Sequence, residues 1–436
     1  MPITKRLALG FATVAAAGTL VATVATVPAS AAPVPTARAQ AAVAALQAKG
    51  ARCTAATGTA GTYSRCTAVK KASLNSLTPA QRQHLSATNS KLTSGARPSA
   101  TGRASGAVIT ITPPSQCEFD FFEGYSPAPD RFTSCLESSW TLTDTTVSST
   151  GGVEITGTFE WDDEQWTSYS ATSSAWTHGM IFSAGTGSGD LLDGFSLELY
   201  SGCFLAQGVC TAVSQTNPDP QTIDVAPLGT YEFQWQEVDN GPSSTTANTD
   251  NVLDPYLGVQ YLATGGNGVP AEPAFDGGLD GRCDTIVSST DGCVNEDNTP
   301  VVTYDGTSAG NPLVAPVAQH IYTAQTTLSI AWGVPAVFNS KGQPLHRDTS
   351  AADQTANNRV ACASVVLGAG QNCDEFPLAT TFEGAAFQPV WSAVAVPASA
   401  NSSQGGITSN FYKTNRVIDD DAFNVLAIKA NGQASW

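Results

Sequence analysis

Positive charge is scarce in this sequence: 20 Lys and Arg stand against 37 Asp and Glu, a formal net charge of −17. A surface of that sign repels polyanions at long range. A nucleic-acid partner would therefore need a metal ion or a local basic patch to attract it. Histidine is rarer still, four in 436 residues, and no C-x-x-C pair occurs. Both absences disfavour zinc as the use of the ten cysteines. Beyond residue 27 there is no apolar run long enough to span a bilayer.

What is present begins with an export pattern. Lys5 and Arg6 precede a stretch of apolar and small residues, 7–27, followed by Pro28 and Ala29-Ser30-Ala31. This reads as a secretory signal peptide over residues 1–31; the A-x-A end and the Ala/Thr/Gly-rich core argue against a membrane anchor. The remainder is expected to be extracellular, free of the membrane and monomeric. The cysteines form five close couples: Cys53/Cys66, Cys117/Cys135, Cys203/Cys210, Cys283/Cys293 and Cys362/Cys373. An even count in an oxidising compartment reads as disulfides, here between nearest neighbours.

The chain divides by texture. Residues 32–106 are rich in Ala, Thr, Ser and Gly and read as a spacer or pro-segment. A short helix is expected over 36–48 and another from Thr78-Pro79 towards His84, with a flexible linker over 88–106. From 107 the pattern alternates. In "TYEFQWQEV" (230–238), Tyr231, Phe233 and Trp235 fall on one face and Glu232, Gln234 and Gln236 on the other. Period two in "VITIT", "VEITGTFEW" and "FSLELY" as well predicts antiparallel sheets, and 107–265 is expected to be a β-sandwich-like domain. Five of the eight Trp lie there, as core residues or as a platform for a glycan or cell-wall ligand. A connector is expected over 266–282. The Asn/Asp run around 248–254 lacks the EF-hand loop pattern and reads as loop. The last region, 283–436, contains an expected helix at 315–328 whose Val317, Ile321 and Ala324 share a face, then strands at 390–396 and 423–428 separated by a polar turn.

One stretch in this last region is chemically out of place. "CDEFPLATTFEGAAF" (373–387) carries Asp374, Glu375 and Glu383 among apolar residues, in a chain only 13% charged. It resembles the "DE-aromatic-P-x-A…EGG" signature of the NucA/NucB deoxyribonuclease domain in its actinobacterial secreted form. Gln319-His320-Ile321, "PLHR" (344–347), "NRVAC" (358–362), "ANSSQGG" (400–406) and "NFYKTNRV" (410–417) are similar to further blocks of that family, in the same order. Two positions depart from it: Ala385 replaces the second Gly of the EGG, and Ala400 stands where an Asp is frequent. The resemblance implies a small α+β nuclease domain, ββα-metal-like in layout, over about 283–436; with the β-sandwich-like region read from alternation, the chain is expected to be multidomain and mostly β. It also implies a divalent metal ion such as Mg2+ or Mn2+, DNA as substrate, and Asp374 as the base that deprotonates water.

The chemistry of phosphodiester hydrolysis accounts for the residue types. The reaction needs an activated water, neutralised phosphate charge and help for a poor leaving oxygen. A carboxylate can supply the first, and a hard cation on oxygen ligands the other two. Asp374 and Glu375 are adjacent, so on a strand they face opposite ways. Asp374 is assigned to the base and Glu375 to metal or its orientation; Glu383 and Asn401 are candidate metal-site residues, and His346 and Arg347 candidate phosphate contacts. His320 reads as a structural helix residue and Asp419-Asp420-Asp421 as a solvated turn. A secreted glycan- or wall-binding β-protein carrying an inactive nuclease-like domain is the alternative. The cysteine reading is checked by peptide mapping without reductant: five neighbour-paired bridges are expected, each stabilising by about 2–4 kcal/mol, whereas free thiols or crossed pairs would refute it.

Overall fold

The computed structural model describes residues 36–58, 61–71, 114, 117, 130–203, 210–215, 221–239, 252–253, 256–287 and 290–436. The expected signal peptide, the helix near 78–84, the linker, the strand at 108–112 and most of the 248–254 run lie outside these residues. Helix α1 (Ala37–Gln47) forms where Thr36 accepts from the Ala39 amide as its cap. The strands that follow are β1 (Arg52–Gly58), β2 (Gly61–Lys71), β3 (Thr133–Val147), β4 (Val153–Ser170), β5 (Ser173–Gly189), β6 (Phe195–Cys203), β7 (Cys210–Gln215), β8 (Gln221–Val225), β9 (Thr230–Asp239), β10 (Val252–Leu253), β11 (Tyr256–Thr264), β12 (Ala274–Asp284) and β13 (Gly292–Asn295).

All of these strands pair antiparallel. One sheet runs β1-β2-β3-β4-β5-β9-β7, and the other β10-β12-β11-β6-β8 with β13 on β12. A large apolar cluster joins them: Trp140, Trp161, Phe182 and Trp235 from the first meet Phe195, Leu197, Val259 and Tyr261 from the second. The protein is mostly β, as expected. Tyr231, Phe233 and Trp235 are buried while Gln236 is exposed. All five Trp of this region (140, 161, 166, 176 and 235) are buried, so packing rather than a surface platform explains them.

The expected connector over 266–282 is not one. It holds most of β12, whose alternation is obscured by the glycines of "FDGGLDG". Cys283–Cys293 ties β12 to β13, so both cysteines belong with the β-rich region. Cys53–Cys66, Cys117–Cys135 and Cys362–Cys373 are also bonded; the Cys203/Cys210 side chains lie outside the described ones.

The C-terminal elements are β14 (Val301–Asp305), α2 (Ala315–Thr327), β15 (Ala331–Trp332), β16 (Gly342–Gln343), β17 (Leu345–His346), α3 (Ala351–Cys362), β18 (Gln371–Phe376), β19 (Ser392–Pro397), α4 (Ala398–Thr414) and β20 (Ala422–Ile428). The domain is small and α+β. Val317, Ile321 and Ala324 are buried on one face of α2. β20 pairs parallel with β14 and antiparallel with β17, while β18 and β19 form a separate hairpin. That hairpin feeds directly into α4, where a polar turn had been expected. The helix forms because Ala400, Gln404, Thr408, Phe411 and Tyr412 make one buried stripe. Gly405 and Gly406 face open space, where they cost about 1 kcal/mol each against Ala and cannot offset that burial.

The two regions meet through buried charge. Arg131 donates to Asp421 Oδ2 (2.8 Å) and Arg282 to Asp421 Oδ1 (2.5 Å). Arg416 reaches back to Asp284 through Nη2 (2.5 Å) and Nε (3.1 Å). Arg282, Arg416 and Asp284 are almost wholly shielded from solvent. Burial is the main cause lowering Arg131 to about 10; the neighbouring Arg282 adds to it. In the triple Asp at 419–421, Asp419 and Asp420 are exposed in a turn, as expected, while Asp421 is taken up by the buried arginines. Replacing one member of such a pair strands the other: Asp284→Ala is expected to lower stability by about 3–5 kcal/mol in urea unfolding. A loss under about 1 kcal/mol would show that the pair contributes little.

Candidate active site

The hairpin geometry separates the two acids of "CDEF". On β18, Asp374 lies opposite Val394 and Glu375 opposite Ala393, with side chains to opposite faces. Asp374 points into the core at 1% exposure. His320 of α2 donates from Nδ1 to Asp374 Oδ2 at 2.7 Å, and its Nε2 lies 2.9 Å from Ser392 Oγ. His320 is therefore bound up in packing, as expected. Asp374 is shielded from the solvent that a water-activating base has to reach.

Glu375 takes the other face. It lines a pocket of about 370 Å3 together with Arg347, Asp348, Asn401, Gln404 and Tyr412. Its Oε2 lies 3.8 Å from Cys362 Sγ, against the Cys362–Cys373 bridge. Burial in this position, reinforced by the charge of Asp374, pushes Glu375 up to about 7. Of the two acids it is Glu375 that lines the pocket, while Asp374 Oδ1 is buried without a hydrogen-bond partner.

Arg347 lines the same pocket. Its guanidinium lies over the Tyr412 ring, 4.6 Å from the centroid, and donates to the Val417 carbonyl. Next to it, Asp348 Oδ1 accepts from the Ser350 amide at 2.7 Å, at the start of α3. Asp348 Oδ2 is buried with no hydrogen-bond partner. Asn401 and Gln404 sit three residues apart on α4 and share its pocket side. Gln404 Nε2 likewise lacks a partner.

His346 and Glu383 are not among the residues that form the pocket. They engage each other instead: Glu383 Oε1 lies 2.8 Å from His346 Nδ1, and Oε2 accepts from the His346 amide at 2.8 Å. Through these contacts Glu383 ties the 377–391 loop to β17. It is expected as a metal-site residue, and it lies outside the pocket that Glu375 lines. Ala385 and Ala400 are both buried, and Ala400 packs in the domain core.

The donor set of the pocket suits a hard cation. Glu375 and Asp348 offer carboxylates, and Asn401 and Gln404 offer amide oxygens. Asp348 Oδ2 is one of several buried side-chain atoms without a hydrogen-bond partner, and it belongs to a residue of the pocket lining. A second group within ligand distance, Cys362, Cys373 and Glu375, is different. Its sulfurs are joined at 2.02 Å and offer no thiolate.

Sequence reasoning passed over Asp348 and Gln404. Asp348 directly follows "PLHR", and Gln404 would have been found beside Asn401 had 398–414 been read as a helix.

Residues 331–426 match the family model described as Deoxyribonuclease NucA/NucB. That span contains every pocket residue named above and agrees with the resemblance read from the sequence. No curated protein and no solved structure matches the chain.

Because Asp374 serves the core, Asp374→Asn is expected to lower the melting temperature, losing about 1.5–3 kcal/mol for a hydrogen bond to a charged group. A folded variant of unchanged stability would show that the His320 contact carries no weight.

Proposed function

We propose that this protein is a secreted, metal-dependent deoxyribonuclease and that the pocket bounded by β18 and α4 cleaves the phosphodiester. The observation that carries the reading is that Glu375 and Arg347 line one pocket, inside the span matched by the nuclease family model. Four disulfides among the described residues agree with an extracellular site of action.

Each residue has a distinct task in this mechanism. Glu375, near 7, exists at neutral pH partly as the carboxylate that takes a proton from the attacking water. Arg347 presents N–H donors and fixed positive charge to a phosphate oxygen. Its stacking on Tyr412 holds that charge in place. Asp348, Asn401 and Gln404 would hold a divalent ion such as Mg2+ or Mn2+, which when bound neutralises phosphate charge and assists the leaving oxygen. Contacts of this kind read the backbone and not the bases, which supports cleavage with little sequence specificity. The negative net charge leaves Arg347 and the bound cation to attract the polyanion.

Nicking of supercoiled plasmid by the purified full chain tests the proposal. Mg2+ or Mn2+ should support cleavage and EDTA should stop it. Glu375→Gln keeps the shape of the side chain and removes the proton acceptor, so turnover should fall by about 10²–10⁴. In the wild type, turnover should rise as pH passes through about 7, because only the ionised carboxylate accepts the proton. Near-normal turnover by folded Glu375→Gln at saturating metal would overturn the assignment of the base.

A further inference from the structure

The β-rich region does more than precede the pocket. Loop 415–421, between α4 and β20, lies between the two regions and carries two non-glycine residues at positive φ, Arg416 (+46°) and Asp420 (+66°). L side chains adopt that conformation rarely, and it persists where surrounding contacts fix it. Around Arg416 those contacts come from the β-rich region. Arg282 donates from Nη2 to the Arg416 carbonyl and from Nη1 to Asp421, both at 2.5 Å. Arg131 donates to the Asn415 carbonyl (3.2 Å) and to Asp421 (2.8 Å). Asp284 accepts from the Arg416 guanidinium.

The other side of the same loop holds Arg347. The Arg347 amide donates to the Asp421 carbonyl at 3.0 Å, and its carbonyl accepts from the Asp420 amide at 2.8 Å. Its guanidinium donates to the Val417 carbonyl. Asp421 therefore joins the two systems within one residue: its side chain is gripped by Arg131 and Arg282, and its carbonyl holds the backbone of the pocket arginine.

We propose that Arg131, Arg282 and Asp284 are positioning residues for Arg347, so that the β-rich region completes the phosphate-binding side of the pocket. The inference rests on the nuclease reading for its activity readout, but not for its structural one. Loss of the lock releases loop 415–421, and Arg347 then meets the phosphate with its charge intact but its direction unfixed. Displacing a substrate-binding group by about 1 Å costs up to about 10²-fold in rate constants. The loss should fall on KM, where binding of the substrate phosphate is read.

The test uses the full chain with Arg282→Met, Arg347→Ala and the double variant, each corrected for its folded fraction. Hydrogen exchange followed by mass spectrometry comes first. Arg282→Met should speed exchange in peptides covering 415–421 and Arg347, while β18 stays protected. Unchanged exchange there overturns the proposal whether or not the protein cleaves DNA. Plasmid nicking then asks for coupling. Arg282→Met should raise KM by about tenfold with kcat little changed, and the double variant should match Arg347→Ala within about twofold. Losses that multiply would mean that Arg282 acts independently of Arg347, and would overturn the proposal. A wild type that cleaves nothing with either metal refutes the nuclease reading instead, and the exchange result still decides the positioning. Should Arg282→Met fail to fold, Arg282→Lys carries the same cycle, since its ammonium keeps the charge and cannot reproduce the forked contact to Asp421 and the Arg416 carbonyl.

Discussion

Adjacent residues on a strand face opposite sides, and in β18 that constraint acts on two neighbouring carboxylates. One has to enter the core, and it does so only because α2 brings His320 to meet it. The other is left facing the pocket, where partial burial raises its proton affinity without removing it from solvent. The Cys362–Cys373 bridge and the pairing with β19 hold the strand in this register. A one-residue slip would exchange the two acids and leave the pocket with the shorter side chain. Placement of the pocket-facing acid therefore depends on packing at Asp374, a residue that does not reach the pocket itself.

A second constraint is the cost of burying charge. Taking Arg282, Arg416 and Asp284 out of water is unfavourable unless each is paired and further hydrogen-bonded. Here the guanidinium groups also donate to carbonyls: Arg416 to Ala171, Asp284 and Thr290, Arg131 to Asn295, Glu296 and Asn298. Such a junction is specific in a way that an apolar one is not, because a shifted docking would leave charges unmatched. It also bears on the division of the chain expected near residue 283: β12 runs through that point, and Arg282 and Arg131 pair across it with Asp421.

Much of the architecture was legible in the sequence, and for a simple reason. Alternation in "TYEFQWQEV" and the i, i+4, i+7 spacing of Val317, Ile321 and Ala324 are local consequences of backbone period, so residue order alone reports them. Thr36 capped the first helix by the same kind of local rule. The resemblance at "CDEFP" lies inside the span that the family model matches, and the opposition of Asp374 and Glu375 followed from strand geometry. Where local rules misled, a distant partner had intervened. Helix α4 looked like a turn because its Ser, Asn and Gly content outweighed a buried stripe that only the neighbouring strands make favourable. β12 looked like a connector because its glycines hide a strand completed by β11 and β13.

The amino-acid order by itself determined the periods of the elements, the even set of cysteines and the pair of acids that must diverge. It did not determine which acid goes inside. That depends on where His320 arrives, 54 positions earlier in the chain, and a hydrogen bond across such a separation exists only once α2 packs on β18. The same holds for Glu383, which His346 engages, for Asp348, whose Oδ2 is buried without a hydrogen-bond partner, and for Asp421, which arginines 139 and 290 positions away hold from the β-rich side. A side chain's chemistry is written in its identity, but its role depends on the neighbours that desolvate, pair or expose it, and the folded chain alone supplies those.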